Sequence, residues 1–254
     1  MNKIFLTVII PCYNESENLK RGVLLDVYKY LKTKNFTWEV IISDDGSTDD
    51  SRDLTKSSIK KLENFKLLEN SHGGKPSALM YGIKKATGKY ILFTDMDQST
   101  PIAELDKLLP FAKKGFKVVI GSRGFQRKNF PFYRKLGSLV FTSIRKAFVL
   151  NEINDTQCGF KLFDTDLVRK AFPKLQFFRG AKNTAGWKVT SYDVELLHII
   201  KKSGEKIKEI VVTWRSEDES KNKGSGIGRY FRESKEMFLE ISRVKINDLK
   251  GRYD

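Results

Sequence analysis

A doubly wound α/β fold is what this chain predicts, and three observations carry the prediction. Short β-branched segments alternate with stretches whose apolar residues recur at helical spacing. The first segment, Phe5-Leu-Thr-Val-Ile-Ile10, is apolar on both faces, as a strand inside a parallel sheet must be. Polar and acidic turns follow these segments, and in such sheets the functional turns lie at the carboxyl ends of strands.

Pro11 stops the first strand, and residues 15–32 then carry Leu19, Val23, Leu24, Val27 and Leu31 on one helical face. Trp38-Glu-Val-Ile-Ile42 is the next strand, closed by the turn Ser43-Asp-Asp-Gly-Ser-Thr-Asp49. The alternation continues with a helix near 50–62, a strand near 65–69, a helix over 75–87 and the strand Tyr90-Ile-Leu-Phe-Thr94. A helix near 102–113 and the strand Phe116-Lys-Val-Val-Ile-Gly121 complete it. After residue 121 the rhythm gives way to a basic, aromatic stretch, a helix over 133–150, a turn at 151–160, a short strand and further helices.

Composition narrows the function classes. With 254 residues, 40% of them hydrophobic and 12% aromatic, the chain has enough apolar matter for a full core, which excludes a disordered or collagen-like protein. Cys12 and Cys158 stand alone, without a CxxC or Cys/His cluster, so neither a structural zinc nor a disulfide scaffold is expected and a reducing compartment is. No run approaches the roughly 18 apolar residues of a spanning helix, and Met1-Asn2-Lys3 leads into the first strand without a cleavage site. The net charge of +16 calls for an anionic partner, and it is unevenly spread: 16 basic against 15 acidic residues over 1–110, 31 against 16 afterwards. A cytoplasmic protein attached from one side to an anionic membrane surface is the expectation.

Chemistry concentrates in the turns. No GxGxxG follows the first strand, so a classical dinucleotide site has no support; His72-Gly-Gly-Lys75 imitates a P-loop, but Glu69 stands at its first glycine and Pro76 at its Ser/Thr. Asp95-Met-Asp97 leaves a strand directly, where alternate carboxylates are able to share a divalent cation and its pyrophosphate. A solvated acidic turn is the plainer reading of Asp-x-Asp in isolation. Asp44 and Asp45 end a separate strand at the same edge, and four carboxylates there would repel one another unless a cation or donors filled the space.

These residues resemble a family. Val8-Ile-Ile-Pro-Cys-Tyr-Asn-Glu15, Ser43 to Asp49, Asn70 to Lys75, Ala86-Thr-Gly88 and Asp95-Met-Asp97 are similar to the family 2 inverting glycosyltransferases of GT-A fold. Asp155-Thr-Gln-Cys-Gly-Phe-Lys-Leu-Phe163, Tyr192-Asp-Val-Glu-Leu-Leu197 and Val212-Thr-Trp214 look like the branch acting on dolichyl phosphate with glucose or mannose. The resemblance implies a single GT-A-type catalytic domain over 1–215, an α/β fold with a mixed, mostly parallel sheet flanked by helices, and a basic loop with an amphipathic helix over 216–254. It puts Pro11, Tyr13, Asn14, Glu15, Asp44 and Asp45 around the nucleoside, Asp95 and Asp97 at ribose and Mg²⁺ or Mn²⁺, and Lys75 at the diphosphate. Mannose-transferring relatives carry a glutamine two residues after the second aspartate; Ser99 stands there, with Gln98 beside it.

Further positions are assigned more openly. Arg123 ends a strand and would clamp a phosphate bidentately, or be an ordinary surface arginine. Gln157 and Lys161 would meet donor sugar or acceptor phosphate. Asp193 matches the family's position for a base better than Glu195, and the two point in different directions on one helix. The helices at 133–150 and 226–246 combine apolar faces with basic borders, suited to a membrane interface or to core packing, and Arg134, Arg145, Ser220 and Lys221 are expected to bind substrate.

The expected reaction is transfer of a hexose from UDP-glucose, or second GDP-mannose, to a polyprenyl or dolichyl phosphate, with a separate membrane-tethering protein as a possible partner. Transfer to a glycan or protein hydroxyl is the alternative that needs a base. A non-catalytic basic binder is the rival from another class; nucleic acid is not expected as a partner, since edge carboxylates oppose a polyanion.

Overall fold

The computed structural model describes residues 3–124, 150–179, 192–215, 238–239 and 241–253. Within them runs a seven-stranded sheet of order β3-β2-β1-β4-β6-β5-β7. The strands are β1 (Leu6–Cys12), β2 (Trp38–Asp44), β3 (Phe65–Glu69), β4 (Tyr90–Phe93), β5 (Val118–Ser122), β6 (Lys161–Asp164) and β7 (Ile207–Val211). β1 pairs in parallel with β2 and β4, β2 with β3, and β5 with β7; β6 runs antiparallel between β4 and β5.

Alternation along β1 explains the layers. Leu6, Val8 and Ile10 pack with Leu24, Val27 and Leu31 of α2 (Val23–Lys32) and Leu105 and Leu108 of α5 (Leu105–Lys113). Ile9 faces the other way, onto Leu79 and Ile83 of α4 (Lys75–Lys85), in a cluster that also takes Val168 of α6 (Thr165–Ala171), Leu196 of α7 (Tyr192–Lys202) and Ile241, Val244 and Tyr253 of the C-terminal segment. Helices thus cover both faces of a sheet whose five inner strands are buried almost throughout, while the edge strands β3 and β7 are more open.

Local chemistry corrects the expected boundaries. The helix expected over 15–32 is two, α1 (Ser16–Lys20) and α2, because Gly22 sits at φ +80° and ends helical geometry between them. The helix expected from 102 begins as a 3₁₀ turn, Ile102–Glu104, before α5. The 133–150 helix lies outside the described residues except for Leu150, and of the 226–246 helix only 238–239 and 241–246 are described; helix continues to residue 249. α3 (Ser51–Ile59) follows the acidic turn as expected.

At the edge opposite the turns, Glu39 is almost fully enclosed and accepts from Thr7 Oγ1 (2.8 Å), Thr87 N (2.7 Å), Thr87 Oγ1 (2.7 Å) and Lys66 Nζ (3.0 Å). Burial alone would push its carboxyl up; these donors outweigh it and hold the group below its ordinary range.

Candidate functional site

The parallel strands β1, β2 and β4 deliver their turns to one edge of the sheet, and the reversed β6 begins there. Residues 11–15, 44–45, 95–97, 123 and 155–161 therefore gather from distant parts of the chain. Asp193 joins them from the first turn of α7.

The first two turns are sewn together. Asn14 (φ +54°) donates its N–H to Ser47 Oγ (3.1 Å) and accepts from Thr48 N (2.9 Å), while Glu15 N donates to Ser51 Oγ (2.7 Å). Asp44 is buried: Oδ1 accepts from Gly46 N (3.1 Å), Ser47 N (3.2 Å) and Arg52 Nε (2.5 Å), whereas buried Oδ2 has no partner among the described residues. Asp45 accepts from Gly73 N (3.0 Å) and Gly74 N (2.8 Å), with His72 Nδ1 2.9 Å from Oδ2. Its charge meets the free N–H groups that open α4, where Gly74 has φ +87°. The repulsion expected among the edge carboxylates is thus relieved largely by internal donors. His72 in turn stacks on Tyr13, rings 4.5 Å apart at 24°, and Tyr13 is 43% exposed. Burial, then Asp44 and Glu15, push the neighbouring Cys12 thiol up to about 12, so it is protonated and inert at neutral pH.

At the third turn Lys75 Nζ lies 2.5 Å from Asp95 Oδ1, both side chains about two-fifths exposed (41% and 40%). Desolvation would raise the Asp95 carboxyl, but Lys75 first, then Lys161 and Arg123, hold it below the ordinary carboxylate range; Lys75 is correspondingly raised by Asp95 and Asp193 against desolvation. Asp97 accepts from Ser99 N (2.9 Å) and Ser99 Oγ (2.7 Å), and Gln98 (φ +52°) donates to Asp95 O (2.8 Å). Gly159 presses on the other side of Asp95: a Cβ there would stand 2.0 Å from Asp95 Oδ2.

Two expectations need correction. The bidentate phosphate clamp expected of Arg123 is not observed, because its fork is filled by Asp155: Nε to Oδ2 at 2.7 Å and Nη2 to Oδ1 at 2.8 Å, with Arg123 N adding 3.0 Å. Arg123 fixes the 155–160 loop and lies over Trp214 at 5.9 Å. Lys161, expected at the substrate, is 1% exposed and donates to Asp193 Oδ1 (2.6 Å) and to Cys158 O, so it is enclosed within the protein.

Gln157, on the same loop, is half-buried and its N–H donates to Asp155 Oδ1 (3.1 Å). Pro11 does not stop the first strand as expected: it pairs with Ser43 inside β1, which runs on to Cys12 against Asp44. Glu195 belongs elsewhere: fully enclosed, it accepts from Gln176 N (3.0 Å), Tyr253 Oη (2.8 Å) and Arg243 Nη2 (3.1 Å). Arg134, Arg145, Ser220 and Lys221 lie outside the described residues. Sequence reasoning gave no role to Arg52, nor to Asp155 and Gly159, although the last two stand in the 155–163 run that resembles the family.

No group of three His, Cys, Asp or Glu side chains able to hold a metal occurs among the described residues. Asp95 and Asp97 nonetheless fit a hard cation shared with a substrate, because Mg²⁺ is commonly held by one or two carboxylates plus phosphate oxygens and water.

A model of glycosyl transferase family 2 matches residues 7–172. The chain is 32% identical over 268 residues to the dolichyl-phosphate β-glucosyltransferase of Dictyostelium discoideum, covering 99% of this chain and 77% of that one. The Saccharomyces cerevisiae protein of the same name is 32% identical over 244 residues, 86% of this chain and 69% of that one. Among solved structures, mannosyl-3-phosphoglycerate synthase from Rubrobacter xylanophilus shares the fold with a TM-score of 0.67 at 12% identity, over 98% of this chain and 75% of that one. Glucosyl-3-phosphoglycerate synthase from Mycobacterium tuberculosis, in complex with Mn²⁺, UDP-glucose and glycerol 3-phosphate, gives 0.63 at 15% identity, over 95% and 80%. The mannosyltransferase from Pyrobaculum calidifontis in complex with GDP-mannose and Mn²⁺ gives 0.56 at 20%, over 82% of this chain and 55% of that one, so this chain spans about half its length.

Proposed function

Because this chain belongs to glycosyl transferase family 2 and is a glycosyltransferase, we propose that it moves glucose from UDP-glucose to a dolichyl or other polyprenyl phosphate with inversion at the anomeric carbon. The observation that carries this reading is the likeness to dolichyl-phosphate β-glucosyltransferases, which extends over 99% of the chain. A phosphomonoester, with its second pKa near about 6, is mostly dianionic at pH 7 and needs no base to become a nucleophile. That agrees with Asp193 being held by Lys161.

The acceptor oxygen attacks the anomeric carbon while the bond from that carbon to the diphosphate breaks, and UDP departs with the electron pair. Tyr13 offers the base a flat face, backed by His72, and Asp44 Oδ2 offers an unshared acceptor to a base or ribose donor. Asp95 and Asp97 would hold a Mg²⁺ or Mn²⁺, which supplies positive charge to the leaving diphosphate. Glucose is favoured by the relatives' names, and GDP-mannose is the second donor.

Attachment to the cytosolic face of an anionic membrane is part of the same proposal. The C-terminal helix (241–249) and residues 238–239 expose Phe238, Leu239, Ile246 and Leu249, with Lys245 and Lys250 beside them. No helix among the described residues is long and apolar enough to cross a membrane.

The test is transfer of radiolabel from UDP-glucose, and separately GDP-mannose, to polyprenyl phosphate in detergent with Mg²⁺ or Mn²⁺. Label is expected in the organic phase from UDP-glucose and not from Asp97→Asn. Label from GDP-mannose alone would overturn the donor, and label only on a glycan or protein hydroxyl would overturn the acceptor.

A further inference from the structure

We propose that Lys75 occupies Asp95 in place of a divalent cation in the unliganded protein and releases it only to a nucleoside diphosphate, so that metal and nucleotide enter as a coupled pair. This rests on the reading of Asp95 as a metal-holding carboxylate. Both oxygens of Asp95 already have close neighbours. Lys75 Nζ takes Oδ1 at 2.5 Å, and the Gly159 backbone stands so close to Oδ2 that even a methyl group would meet it at 2.0 Å. A dication approaching Asp95 without a nucleotide therefore meets a resident ammonium, and the like charges repel.

Lys75 is built to move. Its backbone is fixed, since Asp45 holds the N–H groups of Gly73 and Gly74 at 3.0 and 2.8 Å directly before it, but its side chain is 41% exposed on a flexible four-carbon stem. A diphosphate at the opening turn of α4 would present oxygens within that stem's reach, drawing the ammonium off Asp95 while contributing its own oxygens to the cation. The carboxylate passes from one positive partner to another and is never left bare. Among the described residues this turn supplies two carboxylates, Asp95 paired with Lys75 and Asp97 with Ser99, so a diphosphate would complete the metal's shell.

The experiment measures free Mn²⁺ by electron paramagnetic resonance during titration of the wild-type chain and of Lys75→Met, each with and without UDP. Thermal unfolding of each variant is followed in parallel, and Lys75→Arg serves as the charge-keeping control. Wild type and K75R are expected to bind Mn²⁺ weakly alone and on the order of tenfold or more tightly with UDP, beyond the affinity of UDP itself for the ion. K75M is expected to bind Mn²⁺ alone about tenfold more tightly than wild type, and UDP more weakly. Equal binding of Mn²⁺ alone to wild type and K75M, with normal Mn²⁺–UDP binding, would overturn the role of Lys75 and leave the metal reading standing. No Mn²⁺ binding by wild type even with UDP would overturn both.

Discussion

Lys161 and Asp193 are joined inside the protein, 2.6 Å apart, and neither would be stable there alone. Lys161→Met should cost about 3–5 kcal/mol in urea unfolding by stranding the Asp193 charge, and Asp193→Asn combined with it should recover a large part of that loss. Gly159 answers to a different constraint. Gly159→Ala should leave the melting temperature near wild type yet reduce transfer by about a hundredfold, because the added carbon displaces Asp95 rather than the core. Glu39 makes acid stability legible. Its folded carboxyl lies below its ordinary value, so its contribution is complete above an unfolded value of about 4.3 and is lost as pH falls through the folded one. The melting gap between wild type and Glu39→Gln should therefore be wide at pH 7 and close progressively in acid. The carboxylates of the strand-end turns were readable in sequence because their type and position are local. The partners of Arg123 and Lys161 were not, since each lies 32 residues away and only the fold makes them neighbours.

Among elements, α7 and the C-terminal helix share one buried anchor. Glu195, with Arg243, Gln176 N–H and Tyr253 Oη around it, fastens the last residues to the helix that also presents Asp193. Arg243→Met would leave that carboxylate without its cation, and a loss of about 3 kcal/mol in denaturant unfolding is expected. The opposite side of the same helix carries the exposed apolar residues, so Phe238→Ser with Leu249→Ser should weaken co-sedimentation with anionic vesicles while leaving unfolding unchanged. Most elements were visible from alternation and β-branching. The break at Gly22 depends on one left-handed residue within an otherwise helical apolar pattern. The reversal of β6 was invisible for another reason: period and burial report that a strand is inside a sheet, and they say nothing about its direction.

At the scale of the whole molecule, charge and topology divide the labour. The first 110 residues, nearly neutral, build most of the turns assigned to the nucleotide, and the remainder holds most of the excess positive charge. Binding to anionic vesicles should accordingly fall steeply between about 0.05 and about 0.5 M salt, whereas UDP affinity, set by buried and short-range contacts, should change much less. The sheet order has a consequence for how the protein is made. β5 leaves the ribosome before β6, yet in the finished sheet β6 lies between β4 and β5. From Ser122 to Asp164 the ribosome needs roughly 2–8 s at about 5–20 residues per second. Throughout that interval β4 has an open edge and β5 is free to pair with it in the wrong place. Chain made by coupled translation should therefore contain more misfolded protein than finished chain refolded from denaturant, in which β5 and β6 are present together, and chaperones that delay strand closure during synthesis should raise the native yield.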